Sequence, residues 1–229
     1  MHGPVRPEAV LFDLDDTLID WWGSMARCLG QMADDDVVDA LLAYCRSTFW
    51  ELDPTGRFVW HRNTWALRTR IDEHWPRALP FLDPGDLRLL QKRFVEELWV
   101  GFFPDALPTL DSLLDCVRLG VLSNNHLLPD EVERLRLDDW FEVAVHAHPD
   151  ETKPHRGAFE LGAAAMRAPL ERCVYVGDSV RADALGAHAA GMTAVWVDRW
   201  GDAWPDRPDD IHRIPSLGEL PGLLRSLGA

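Results

Sequence analysis

Lysine is almost missing from this chain: the 23 basic residues are arginine except at Lys92 and Lys153. Basic residues are also outnumbered by 38 acidic ones, for a formal net charge of -15. So acidic a surface has little attraction for a phosphate backbone or an anionic bilayer, so neither nucleic acid nor membrane is an expected partner. No apolar run approaches the roughly 18 residues of a spanning helix, and Met1 to Glu8 holds no signal-type apolar segment. A cytoplasmic protein is expected. Cysteine is sparse too. Cys28, Cys45, Cys116 and Cys173 form no CxxC pair and lie mostly in apolar runs, which fits reduced thiols better than disulfides or zinc ligands. There is no GxGxxG, no Walker A loop and no internal repeat.

What the chain does have is apolar mass and acid at strand ends. With 229 residues, 47% of them hydrophobic, it can bury a substantial core as one domain with a large insertion or as two small domains. In Val10-Leu11-Phe12-Asp13-Leu14-Asp15-Asp16-Thr17, an apolar strand runs into three carboxylates. Asp13 and Asp15 at that spacing repel unless a cation lies between them or a pKa rises, and hard oxygen ligands favour magnesium. Taken alone, Asp15-Asp16-Thr17 reads more readily as a polar turn that caps the next element.

Three later segments change that reading. Val117 to Asn125 reads VRLGVLSNN, Thr152 to Pro154 reads TKP, and Val174 to Gly191 reads VYVGDSVRADALGAHAAG. Each leads an apolar segment or a helix approach into a group that phosphoryl transfer needs. Asp13 is placed to attack phosphorus and split one hard step into two. Asp15 is placed to give a proton to the leaving alcohol and take one from water, worth roughly 10² to 10⁴ in rate. Ser123 and the backbone N–H groups of Asn124 and Asn125, at a turn into a helix, suit phosphate oxygens. Lys153 offers a point charge to both phosphoryl group and Asp13, while Asp178 and Asp183 complete a metal set with Asp13 and Asp15.

In these four segments and in their order the chain resembles the haloacid dehalogenase-like hydrolases, most of which are magnesium-dependent phosphatases. Asp13-Leu14-Asp15-Asp16-Thr17 matches the family's DxDxT, Ser123 its second motif, Lys153-Pro154 its third, and Gly177-Asp178-Ser179 with Asp183 and Ala190-Gly191 its fourth. The resemblance covers residues 8–19 and roughly 104–198. It implies catalysis by Asp13, Asp15 and Lys153, phosphate binding by Ser123, Asn124 and Lys153, and Mg2+ on Asp13, Asp15, Asp178 and Asp183. The family's third motif usually continues with an acid and a second proline, where this chain has His155, Arg156 and Gly157. Family dehalogenases lack an acid at the position of Asp15, which disfavours a 2-haloacid dehalogenase. A phosphomutase of the same family and a non-catalytic phosphate-binding module stay open.

The fold expected is a doubly wound α/β parallel sheet with an inserted α-helical cap. Strands are read near 9–13, 118–123, 142–147, 173–177 and 193–197, alternating with helices near 105–116, 129–136, 155–167 and 180–190. Residues 1–19 and 104–229 would form the core and 20–103 the cap, hinged at Asp20 to Gly23 and Gly101 to Pro104. In the insertion, Val38, Leu41, Leu42, Cys45 and Phe49 keep helical spacing, as do Leu87, Leu90, Phe94 and Leu98. Seven of the 11 tryptophans lie there, either as a helix core or as an aromatic surface over substrate. Arg62 and Arg68 are the first candidates to contact substrate among Arg57, His61, Arg62, Arg68 and Arg70, against the alternative of a solvated face. His146, His148 and His155 fall close together, but a peripheral contact outweighs a zinc site. The expected ligand is a small phosphorylated metabolite, and the expected state a monomer or homodimer.

Overall fold

The computed structural model describes residues 6–52, 58–60, 71–125, 128–148, 151–202 and 204–228, excluding the side chains of 45–52 and 58–60. Arg57, His61, Arg62, Arg68 and Arg70 lie outside the described residues. The chain divides into two compact units: Met1–Ile19 with Phe102–Ala229, and Asp20–Gly101. The second boundary falls two residues earlier than the composition suggests. Ile19 bridges Phe102, and the Phe103 N–H donates to the Leu18 carbonyl at 2.9 Å, so both phenylalanines belong with the segment after the first strand.

The first unit is built on a six-stranded sheet in the order β5-β4-β1-β6-β7-β8. Its strands are β1 (Ala9–Phe12), β4 (Arg118–Ser123), β5 (Val143–His146), β6 (Cys173–Gly177), β7 (Thr193–Val197) and β8 (His212–Ile214). Every pairing is parallel. β1 and β6 are buried at every residue, the mark of strands covered on both faces. The chain leaves β1 for β4 and β5 on one side, then returns to β6 on the other side of β1, continuing outward to β7 and β8. That reversal opens a crevice beyond the carboxyl ends of β4, β1 and β6, the place where such sheets take ligands.

Two features differ from the expectation. β8 adds a sixth strand three residues long, too short for periodicity to reveal. The helix expected at 180–190 begins as a π-helix, Val180–Leu185, before the α-helical turn Gly186–Ala190. Its wider winding follows from the Ala184 N–H reaching back to the Ser179 carbonyl at 3.1 Å, and such turns are frequent at functional sites.

The second unit contains helices Trp21–Gly30, Asp35–Phe49, Ile71–Ala78 and Pro84–Glu97. Asp20 caps the first by accepting from the Gly23 N–H at 2.9 Å. The stripe Leu87, Leu90 and Phe94 is buried, with Phe94 packed on Trp75 at 4.9 Å between ring centroids. The unit is not purely helical. A two-stranded antiparallel pair, β2 (Trp50–Leu52) with β3 (Phe58–Trp60), sits inside it.

Candidate active site

The site is assembled from three strand ends and one loop, all within the first unit. Asp13 follows β1 directly, its N–H donating to the Val176 carbonyl at 2.9 Å, and it is buried. The chain then reverses tightly. Leu18 and Ile19 N–H groups return to the Leu14 carbonyl at 3.0 and 3.1 Å, and the Asp16 N–H reaches the Ile19 carbonyl at 2.8 Å. Asp16 sits at φ 56°, a left-handed conformation that Asp tolerates better than most residues.

Lys153 comes from the loop before the helix Arg156–Ala165. Its ammonium donates to Asp13 Oδ1 at 2.6 Å, to Asp183 Oδ1 at 2.7 Å and to the Tyr175 hydroxyl at 2.6 Å. All three N–H bonds are thus directed at acceptors. Its main chain is held as well. The Asn124 side chain donates to the Lys153 carbonyl at 3.0 Å and accepts from the Lys153 N–H at 2.9 Å. Asn124 was expected to offer its backbone N–H to phosphate; what the structure adds is an amide side chain committed to the lysine loop.

After β4, Ser123 is buried and its Oγ accepts from the Asn125 N–H at 3.0 Å, which leaves the hydroxyl proton for another acceptor. Asn125 in turn directs its side-chain amide to Asp15 Oδ1 at 3.3 Å. After β6, Asp178 is tied to the first motif. Its N–H donates to the Thr17 hydroxyl at 3.0 Å, the hydroxyl lies 3.3 Å from Asp178 Oδ1, and the Trp196 indole donates to the Asp178 carbonyl at 2.8 Å. Asp183, buried, also accepts from the Ser179 N–H at 2.9 Å through its second oxygen.

The electrostatics follow from many acids and one buried ammonium. Burial raises the Asp13 pKa, Lys153 opposes it and Asp183 adds to it, leaving Asp13 at about 6. Burial pushes Asp15 well above the usual carboxylate range, reinforced by Asp13, Asp16 and Glu131. Asp178 is likewise raised well above that range by burial and by Asp183, Asp16 and Asp13. For Lys153, burial works against the charged form, but Asp13 and Asp183 outweigh it and the pKa rises.

Among the described residues, one group of acids and imidazoles could hold an ion: Asp13, Asp178 and Asp183, with one oxygen from each within 4.8 Å of the others. Asp15, expected as a fourth ligand, lies outside that group and turns its carboxyl to Asn125. The histidines form no such group among the described residues. His155 instead caps its helix, Nδ1 accepting from the Gly157 N–H at 3.1 Å. Arg62 and Arg68 lie outside the described residues.

Four contributors escaped the sequence reading. Thr17 fits the last position of DxDxT, a match that assigns it no role, yet it joins the first motif to the fourth. Tyr175 sits in the apolar run VYVG and reads as core. The place of Asn125 after Ser123 points only to its backbone N–H. Arg199 stacks over Phe103 at 3.7 Å from the ring centroid, pairs with Asp105 at 3.0 Å and donates to the Thr17 carbonyl at 2.7 Å. No local signal marks Arg199, which follows β7.

With this arrangement established, comparison with known proteins places it. The model of the haloacid dehalogenase-like hydrolases matches residues 7–191. The chain belongs to that family. It is 26% identical over 244 residues to human N-acylneuraminate-9-phosphatase, covering 98% of this chain and 96% of the relative. It is 29% identical over 203 residues to the glyceraldehyde 3-phosphate phosphatase of Methanothermobacter thermautotrophicus, covering 83% and 85%. In fold it is similar to a putative haloacid dehalogenase-like hydrolase from Bacillus subtilis solved with magnesium, with a TM-score of 0.70 at 21% identity over 96% of this chain and 100% of that one. As a member of the family, the chain is a hydrolase, and its DxDxT strand end, lysine loop and GDS loop lie where the sheet order opens its crevice.

Proposed function

We propose that this hydrolase is a magnesium-dependent phosphatase that cleaves a small phosphorylated metabolite through an aspartyl-phosphate on Asp13. The observation that carries the reading is the division of labour between two acids of one loop. Lys153 bonds Asp13 and favours its ionised form, whereas Asp15 faces an amide and three acids and keeps its proton. An ionised nucleophile and a protonated acid are what the first half-reaction needs.

Because Lys153 occupies Oδ1 of Asp13, Oδ2 is the oxygen that attacks phosphorus. The bond from phosphorus to the ester oxygen breaks, and Asp15 passes its proton to the departing alcohol. In the second half, water attacks the phosphorus of the acyl phosphate, its proton goes to the Asp15 carboxylate, and the bond from phosphorus to Asp13 breaks to release inorganic phosphate. Ser123 donates its hydroxyl proton to a phosphoryl oxygen, and Lys153 balances charge on Asp13 throughout.

Magnesium fits the donor set of Asp13, Asp178 and Asp183, whose ligand atoms are all carboxyl oxygens, and a bound divalent ion would favour the ionised form of each. When bound, it supplies positive charge that lowers the repulsion between phosphate oxygens and the nucleophile. Both oxygens of Asp183 already accept hydrogen bonds, so this residue orders the loop as much as it serves the ion. Asp15 is left to proton transfer. The relatives' names, an acylneuraminate 9-phosphatase and a triose-phosphate phosphatase, support a sugar-like phosphate monoester. Choice of substrate is assigned to the inserted unit, with Arg62 and Arg68 as first candidates, because all the chemical groups come from outside it.

The test is phosphate release from an aryl phosphate and from a panel of phosphorylated metabolites, with magnesium and with chelator. Metal-dependent release is expected. Undiminished release in excess EDTA would overturn the magnesium assignment, and halide release from a 2-haloacid without phosphate release would turn the reading to a dehalogenase.

A further inference from the structure

Lys153 must point one way to bring its charge to Asp13, and a flexible four-carbon stem does not do this unaided. Two of its three N–H bonds end on Asp13 and Asp183, which the chemistry itself uses. The third ends on Tyr175, a side chain with no part in the chemistry proposed above. Tyr175 is 1% exposed. Its hydroxyl accepts from Lys153 at 2.6 Å and donates to the Leu122 carbonyl at 2.8 Å.

That second bond spans the sheet. Tyr175 is on β6 and Leu122 on β4, with β1 running between them and Asp13 at its end. Leu11 of β1 pairs in register with Tyr175. The phenol ring is fixed in turn by Phe159, edge to face at 5.1 Å between centroids. Ring and hydroxyl both have one place to go, so the oxygen is a fixed acceptor beneath the ammonium. A phenylalanine would satisfy the packing equally well; the oxygen serves the lysine and the Leu122 carbonyl, with the Asp183 carboxylate also in reach.

We propose that Tyr175 is a positioning residue for Lys153: its hydroxyl, anchored on Leu122, holds the ammonium on Oδ1 of Asp13 and so keeps Oδ2 free for attack. This rests on the phosphatase reading for its kinetic consequence, but the hydrogen bond itself is testable without turnover.

The composition makes that test clean. The chain has two lysines and two tyrosines. With 15N-lysine, the Lys92 ammonium, whose side chain is 70% exposed, exchanges freely with water, while Lys153, 2% exposed, should give a single protected ammonium resonance. Tyr175→Phe should shift that resonance and speed its exchange. It should also lower kcat on an aryl phosphate by roughly ten- to a hundredfold, as small misplacements in active sites do, with KM changed less than about threefold. In a Lys153→Met background, Tyr175→Phe should cost less than about twofold more, because a residue acting through Lys153 has nothing left to position. Should Tyr175→Phe fail to fold, 3-fluorotyrosine keeps ring and hydroxyl but weakens the oxygen as an acceptor. Tyr44→Phe is its control. An unchanged Lys153 resonance with unchanged kcat, or additive losses with Lys153→Met, would overturn the proposal. Absence of phosphate release from the wild type would instead sink the phosphatase reading and leave the resonance arm to decide the hydrogen bond.

Discussion

The Thr17 hydroxyl accepts the backbone N–H of Asp178 at 3.0 Å across a separation of 161 residues. It is the link by which the loop after β1 fixes the loop after β6. Thr17 is fully buried, so no water replaces the bond if the hydroxyl is lost. Thr17→Val should therefore destabilise the protein by about 1–3 kcal/mol, the cost of leaving a buried donor unpaired. It should also weaken magnesium binding, since Asp178 loses its guide, while Thr17→Ser should keep most of both. Thermal melts with and without magnesium check this. Equal melting shifts for valine and serine would show that the methyl, not the hydroxyl, matters.

Gly177 and Asp183 make a second close approach. A Cβ on Gly177 would stand 2.4 Å from Cγ of Asp183, with two more Asp183 atoms at 2.5 Å. Something must move, and the side chain in the way is the one that holds Lys153 and the Ser179 N–H. Gly177→Ala should lower stability by roughly 1–3 kcal/mol, as overpacking does. Activity should fall by about a hundredfold or more because both partners of Asp183 are disturbed. Steady-state kinetics on the folded variant check it, and near-normal turnover would show that Asp183 tolerates displacement.

How much of this could be seen in the sequence depends on which residues carry their own signal. Acids directly after apolar strands cannot be buried without chemical cause, so Asp13, Asp178 and the central strands were legible. Lys153 stood out through rarity and through its Pro. Tyr175 was invisible because in VYVG it satisfies every demand of a buried strand, and its hydroxyl's partner lies two strands away. Asn124 was seen for its position after Ser123, but a side chain that clasps the main chain of residue 153 follows from folding, not from local pattern. The π-helix at Val180–Leu185 breaks the 3.6-residue period on which a helix is recognised, and β2, β3 and β8 are too short to show alternation.

Magnesium should act on stability as well as on turnover. A ligand that binds only the folded chain adds about 2.7 kcal/mol at a hundred times its dissociation constant. The melting temperature should thus rise with magnesium and fall back with chelator, and Asp178→Asn should remove most of the rise while leaving a folded protein. Melts of wild type and variant across a magnesium titration measure it. A rise of equal size in Asp178→Asn would move the ion away from the Asp13, Asp178 and Asp183 group.

The two motif acids should separate by leaving group. Asp13→Asn removes the attacking oxygen's charge, so it should abolish turnover on every phosphate ester and, with it, any hydroxylamine-labile phosphoenzyme. Asp15→Asn leaves the nucleophile and Lys153 in place but removes the proton donor, a contribution worth roughly 10² to 10⁴ where the departing oxygen is a poor leaving group. The loss in kcat/KM, which reports the first half-reaction, should approach that range on an alkyl phosphate and be much smaller on p-nitrophenyl phosphate, whose phenolate departs without help. A variant that traps phosphate on Asp13 is a further signature, because the same Asp15 that protonates the alcohol deprotonates the water of the second step. Rapid quench on Asp15→Asn with p-nitrophenyl phosphate should therefore show a burst of phenolate followed by slow release. Beryllium trifluoride should attach at Asp13 in the wild type. Attachment at Asp15, or equal losses of kcat/KM on both esters, would show that the roles drawn from the Lys153 bond are reversed.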